Sequence, residues 1–230
     1  MLRAQASGDG ERGASRVEAV SAYLWKVFAA TVGSSDESCR MGWWVNGRRR
    51  LTAAPEEAMR NYIGNVTTFA VAEASVDAVQ RRPLPEIASM VRESIRSTAT
   101  DEHFQELVDW VEEHKGNGNG KAVVNKFVET ATVGLGSPAM GMTSFTSFSV
   151  DTDLGFGHAA VAMPTWVDCG RLCSGFVKIM ARPEGDGGGA ASWIFGMSVW
   201  PKLAAALDSD EQRIFKPLTA EYLGLMAQAN

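Results

Sequence analysis

Two glycines separated by one aromatic, Gly155-Phe156-Gly157, close an unusually β-prone run, and this turn constrains the chain more than any other feature. Glycine enters backbone regions that a Cβ forbids, so the pair marks a place where the chain reverses or approaches another segment closely. In the run before it, Met142, Ser144, Thr146 and Phe148 alternate with Thr143, Phe145 and Ser147. That alternation predicts an extended strand with two unlike faces, ending at Asp153. A carboxylate buried at such a turn needs a cation.

With 230 residues, 45% apolar and 21% charged, the chain has the means to build one domain around a core. Its net charge of −5 argues against general nucleic-acid binding, which wants a basic surface. No apolar run approaches the ~18 residues of a membrane span, and the first residues lead into a polar Gly/Ser-rich segment without a signal-peptide core. A cytoplasmic location with no membrane contact is therefore expected. Cys39, Cys169 and Cys173 are odd in number and lack the paired spacing of a zinc site, so neither a metal nor a disulfide framework is expected.

Taken in order, residues 1–14 read as a flexible lead-in, and Ser15-Arg16-Val17-Glu18 has the spacing of a capping box. The helix it opens carries Val17, Val20, Leu24, Val27 and Phe28 on one stripe and ends at Gly33. Cys39 to Val45 reads as a buried strand; Asn46-Gly47 is a turn signal, and Arg48 to Leu51 is expected to return as a second strand. Val66 to Val71 is a further strand. Leu84, Ile87, Val91 and Ile95 predict one amphipathic helix; Phe104, Leu107, Val108 and Val111 predict another over 101–114. Gly116 to Gly120 reads as a loop before a short helix around Val123, Val124 and Phe127, and Glu184 to Gly189 as a second connection. Ala159 to Met163, Gly175 to Ala181 and Trp193 to Val199 complete the strands, and Lys202 to Leu207 opens a terminal helix. Interleaved helices and strands, with hairpins as well as crossovers, predict an α/β structure built on a mixed sheet.

Four segments together resemble the plant BAHD-type acyltransferases. Asp153-Leu154-Gly155-Phe156-Gly157 is similar to that family's DFGWG motif, with Leu154 and Phe156 substituting for Phe and Trp. Ala22-Tyr23-Leu24-Trp25-Lys26 resembles its helix signature, Val45 to Leu51 its Asp-Gly-Arg-x-Arg segment, and Asn61-Tyr62-Ile63-Gly64-Asn65 its Tyr-Phe-Gly-Asn. The order is the family's, and all four belong to its C-terminal half. The resemblance implies a chloramphenicol-acetyltransferase-like lobe, a mixed sheet packed with helices, over residues 15–230. It also implies acyl-CoA as co-substrate, no permanently bound cofactor, and transfer of an acyl group, hydroxycinnamoyl by preference, to a small alcohol or amine.

The family's general base is the His of an His-x-x-x-Asp motif, because hydroxyls and protonated amines attack poorly until a proton is removed. His103, His114 and His158 are followed four positions on by Leu107, Gly118 and Ala162, so none carries the motif and no catalytic residue is assigned. The resemblance leaves Asp153 two readings, catalytic base or structural anchor. The second is favoured, with Asp153, Gly155 and Gly157 forming a structural motif with Arg48 or Arg50, Arg48 preferred as the ion-pair partner. Thr143-Ser144-Phe145 resembles the family's Thr-Ser-Trp beside the acyl-transfer centre, which makes these three the candidate substrate contacts; Phe145 lacks the indole N–H. Two functions follow: one half of an acyltransferase, inactive alone and needing an N-terminal lobe or a full-length relative, or a non-catalytic protein that binds such a relative or acyl-CoA.

Overall fold

The computed structural model describes residues 1–8, 12–33, 36–52, 55–115, 138–147, 153, 155–164, 175–181 and 192–225. Its organising helix is α2 (Arg16–Val32), for which α1 (Leu2–Ser7) is a packed neighbour. The Ser15 hydroxyl accepts from Glu18 N and the Glu18 carboxylate accepts from Ser15 N, so the capping box forms as its spacing predicts. Residues 1–14 are not simply a lead-in. Ala6 and Ala14 are buried, Arg3 Nε donates to Ala14 O at 2.8 Å, and Ser7 Oγ accepts from Ala14 N at 3.0 Å. Small residues that read as flexible in sequence here permit close packing onto α2 and α5 (Leu84–Thr98).

Five strands follow the order β2-β1-β3-β4-β5. β1 (Ser38–Asn46) pairs antiparallel with β2 (Thr67–Ser75) and parallel with β3 (Ala139–Ser144); β3 is parallel to β4 (Gly175–Ala181), and β4 antiparallel to β5 (Trp193–Val199). The sheet is mixed, as expected. One face is covered by α2 and α5: Cys39, Met41, Trp43, Val45, Met142, Val177 and Ile179 enter the same core as Leu24, Trp25, Phe28, Ile87 and Val91. Indole N–H groups tie the layers together, Trp25 to Cys39 Sγ at 3.2 Å and Trp43 to Ser21 Oγ at 2.9 Å. Short helices α3 (Glu56–Asn61) and α4 (Val76–Arg81), then α6 (Asp101–Lys115) and α7 (Pro201–Asp208), complete the described structure.

Three expected strands differ. Arg48 to Leu51 forms a turn, with Arg50 N and Leu51 N donating to Gly47 O, because β1 continues its ladder directly with β2 and Gly47 N donates to Val66 O. The central strand begins earlier than predicted, spanning Ala139–Ser144 and giving way to a turn at Thr146, while 148–152 of the expected run lie outside the described residues. Described residues 159–163 are irregular rather than a strand. The predicted loop at 116–120, the short helix at 123–127 and the connection at 184–189 lie outside the described residues.

Candidate functional site

A strand alternates its side chains between two faces, so β3 and β4 must send every second residue away from α2. On β4 these are Phe176, Lys178 and Met180, all buried; on β3 they include Thr143, half-buried and in register with Lys178. Neighbouring strands lie about 4.8 Å apart, which makes Thr143 and Lys178 lateral neighbours on one face. Opposite Lys178 on β5 stands Gly196, whose added Cβ would meet Met163 Sδ at 3.3 Å. The Met163 thioether and the end of Met180 fill the space a side chain there would take. Lys178 Nζ donates to Pro164 O at 3.1 Å, so the irregular segment 159–164 folds over this part of the sheet.

Lys178 was not singled out from sequence. Its signal was a single charge inside the otherwise apolar Gly175-Phe176-Val177-Lys178-Ile179-Met180-Ala181. Such a residue is rarely buried without a partner.

Thr143, Ser144 and Phe145 do occupy the C-terminal end of β3. Phe145 N donates to Ile179 O at 2.8 Å, extending the pairing one residue past the strand, and Ser144 Oγ shares a 3.0 Å hydrogen bond with Thr146 Oγ1. The Thr143 hydroxyl carries no hydrogen bond among the described residues. A hydroxyl in this position can donate to an oxyanion or accept from an acceptor molecule.

The expected ion pair between Asp153 and Arg48 does not form. Asp153 is exposed, and its Oδ1 accepts from Gly155 N at 2.8 Å and Gly157 N at 3.0 Å. Gly155 and Gly157 have φ of +94° and +103° with open space where a Cβ would point, so the turn needs glycine for its backbone angles and not for close approach. Arg48 is engaged elsewhere: Nε donates to Tyr62 O at 3.2 Å and an Nη atom to Gly64 O at 2.7 Å, holding the loop that presents fully exposed Ile63. Arg50 points its exposed side chain from the turn after β1. Each partner is satisfied locally, which removes the drive to pair.

His103 Nε2 lies 2.9 Å from Thr68 Oγ1, His114 stacks on Trp110 with its Nδ1 2.7 Å from Trp110 O, and His158 is exposed. No group of three His, Cys, Asp or Glu side chains could hold a metal among the described residues. Cys39 is buried, and that burial pushes its thiol above the usual range, away from reactivity. No helix among the described residues is long and apolar enough to cross a membrane.

A profile of the Transferase family matches residues 1–194. Putrescine hydroxycinnamoyltransferase of Oryza sativa subsp. japonica is 27% identical over 168 residues, which cover 72% of this chain and 35% of that protein. Anthranilate N-benzoyltransferase protein 1 of Dianthus caryophyllus is 29% identical over 103 residues, or 44% of this chain and 22% of that protein. Among solved structures, F. graminearum TRI101 with coenzyme A and T-2 mycotoxin superposes with a TM-score of 0.64 at 14% identity, over 92% of this chain and 45% of that one. Vinorine synthase superposes with a TM-score of 0.56 at 19% identity, over 97% of this chain and 44% of that one. The chain therefore spans less than half the length of these relatives.

Proposed function

Because the chain belongs to the Transferase family, the BAHD acyl-CoA-dependent acyltransferases, we propose that it forms one wall of a site where an acyl group passes from coenzyme A to an amine or alcohol. Residues 15–230 act as the C-terminal lobe of this two-lobe arrangement. A hydroxycinnamoyl or similar aromatic acyl group is the donor. The named acceptors of its relatives, putrescine and anthranilate, are both amines, which supports N-acylation.

The observation that carries this reading is Thr143, at the end of β3 on the face turned away from α2, its hydroxyl without a hydrogen bond among the described residues. In the reaction the acceptor nitrogen or oxygen attacks the thioester carbonyl, whose π electrons move onto oxygen. Thr143 donates its hydroxyl proton in a hydrogen bond to that oxyanion. When the carbonyl re-forms, the C–S bond breaks and the thiolate of coenzyme A takes up the proton lost by the acceptor. The proton carrier is a base outside these residues, supplied by an N-terminal lobe; the three histidines lack the required Asp four positions on. Phe145 offers the oxyanion no second donor, so Thr143 bears more of that stabilisation.

Thr143→Val tests the assignment. With the chain assembled onto the N-terminal lobe of a relative and assayed with hydroxycinnamoyl-CoA, kcat is expected to fall about 10²–10³-fold with KM little changed. An unchanged kcat contradicts a transition-state role for Thr143.

A further inference from the structure

The turn after β1 carries a chemistry of its own. Arg48 to Thr52 follow the ladder without joining it, and Arg49, Arg50 and Thr52 are exposed. Arg48 is held by Tyr62 O and Gly64 O, whereas Arg49 and Arg50 make no hydrogen bond or ion pair among the described residues. Arg49-Arg50-Leu51-Thr52 sets two guanidinium groups three and two residues before a hydroxyl, and it is the one Arg-Arg-x-Ser/Thr in the chain. Protein kinases that select substrates by upstream arginines pair acidic side chains with that spacing. An irregular turn also opens locally more readily than a laddered strand, which lets the segment enter such a cleft. Thr52 meanwhile has a structural task. Its N–H donates to Asp101 Oδ1 at 3.0 Å and its hydroxyl to Asp101 Oδ2, clasping the turn to the first residue of α6. These hydrogen bonds, the hydroxyl's foremost, hold the Asp101 carboxyl below its usual range, so it is ionised at neutral pH. Nearby, His103 Nε2 lies 2.9 Å from Thr68 Oγ1 and the buried Phe104 ring packs against Gly47, joining the same part of α6 to the sheet.

We propose that Thr52 is a phosphorylation site for an arginine-directed protein kinase, and that the phosphate releases the Thr52–Asp101 clasp and loosens the start of α6. In the transfer, the Thr52 oxygen attacks the γ-phosphorus of ATP; the bond from that phosphorus to the bridging oxygen breaks, ADP leaves with its electron pair, and the hydroxyl proton passes to the kinase's base. The phosphorylated side chain has no hydroxyl left to donate and carries about two negative charges beside Asp101. Glu102 adds to the repulsion. The positive end of α6 attracts the phosphate, but with about half a unit charge against the full charge of the Asp101 carboxylate. Repulsion therefore prevails, and Arg49 and Arg50 offer the phosphate new partners on its own side of the gap. Neither the clasp nor its release depends on acyl transfer.

The full chain is incubated with Mg-ATP and the catalytic subunit of cyclic-AMP-dependent protein kinase as an arginine-directed probe. Peptide mass spectrometry locates the modification, and hydrogen–deuterium exchange of α6 is compared before and after. Phosphorylation is expected at Thr52, slowed about tenfold in the Arg49→Ala, Arg50→Ala double variant and absent at this position in Thr52→Ala. Amides in the first two turns of α6 should exchange about tenfold faster in the phosphorylated chain, with those of α5 unchanged. Asp101→Asn separates charge from bulk: its amide donates to the phosphate, so Thr52 is still modified while α6 exchange does not rise on phosphorylation. Circular dichroism melts establish that each variant is folded; should Asp101→Asn not fold, the exchange comparison on the wild-type chain still decides. An unmodified Thr52, a rate indifferent to Arg49 and Arg50, unchanged α6 exchange after phosphorylation, or a rise that persists in Asp101→Asn overturns the proposal.

Discussion

Glu18 shows how one side chain serves two structures. Its carboxylate accepts from Ser15 N at 2.8 Å as part of the helix cap and from an Arg92 Nη atom on α5 at 3.0 Å. Burial works to raise its pKa, but the hydrogen bonds from Arg92 and Ser15 outweigh burial and hold it below the ordinary carboxylate value. A depressed folded pKa contributes stability that is complete above the unfolded value and is lost as pH falls through the folded one. Urea denaturation is therefore expected to show stability decreasing below about pH 4.5, the ordinary range for Glu, and Glu18→Gln should flatten that part of the profile. Arg92 Nε has no hydrogen-bond partner among the described residues, so removing the carboxylate leaves a half-buried cation with only a 3.5 Å contact to Gly13 O; Glu18→Ala should cost about 1–3 kcal/mol at pH 7. At the glycine turn, Gly155→Ala and Gly157→Ala should each cost about 1–2 kcal/mol through backbone strain, read as a lower melting temperature. Asp153→Asn should leave that temperature unchanged, since an amide oxygen accepts the same two N–H groups.

Between elements, a short polar relay fixes the register of helix on sheet: Trp43 Nε1 on β1 donates to Ser21 Oγ on α2, which donates to Met142 Sδ on β3 at 3.3 Å. All three side chains are buried. Trp43→Phe removes the first donor while leaving the serine oxygen in the core, and should cost about 1–3 kcal/mol beyond the lost ring volume; Trp43→Phe combined with Ser21→Ala should recover part of that loss, a pattern measured by urea unfolding of the single and double variants. Local signals made some elements legible in sequence. The Ser15 cap, the stripe of Ile87 and Val91, and the apolar runs of β4 and β5 each determine their element within a few residues. Arg48 to Leu51 was not legible, because its fate depends on distant partners: Val66 takes the Gly47 N–H, and the Phe104 ring lies where a Cβ on Gly47 would stand. Gly47→Ala should destabilise by about 1–3 kcal/mol through that overlap. Likewise, no local pattern in residues 159–163 records that their neighbour Pro164 meets Lys178 across the sheet.

For the whole molecule, the sequence motifs conveyed the family and the mixed sheet, and misplaced the partner of Asp153, because an ion pair cannot be inferred from two motifs that each satisfy themselves locally. The site face was visible only through Thr143; Lys178 emerged when the register placed it beside that threonine. The central claim is that this chain supplies substrate contacts while an N-terminal lobe supplies the base. The direct measurement is acyl transfer from hydroxycinnamoyl-CoA to an amine acceptor by this chain alone, with the N-terminal lobe of a relative, and with that lobe carrying Ala in place of its motif histidine. General-base assistance is worth about 10²–10⁴ in rate, and holding the reactants together adds more. Turnover is expected only in the second mixture. Transfer by the chain alone, abolished by His158→Ala and indifferent to the added lobe, would contradict it.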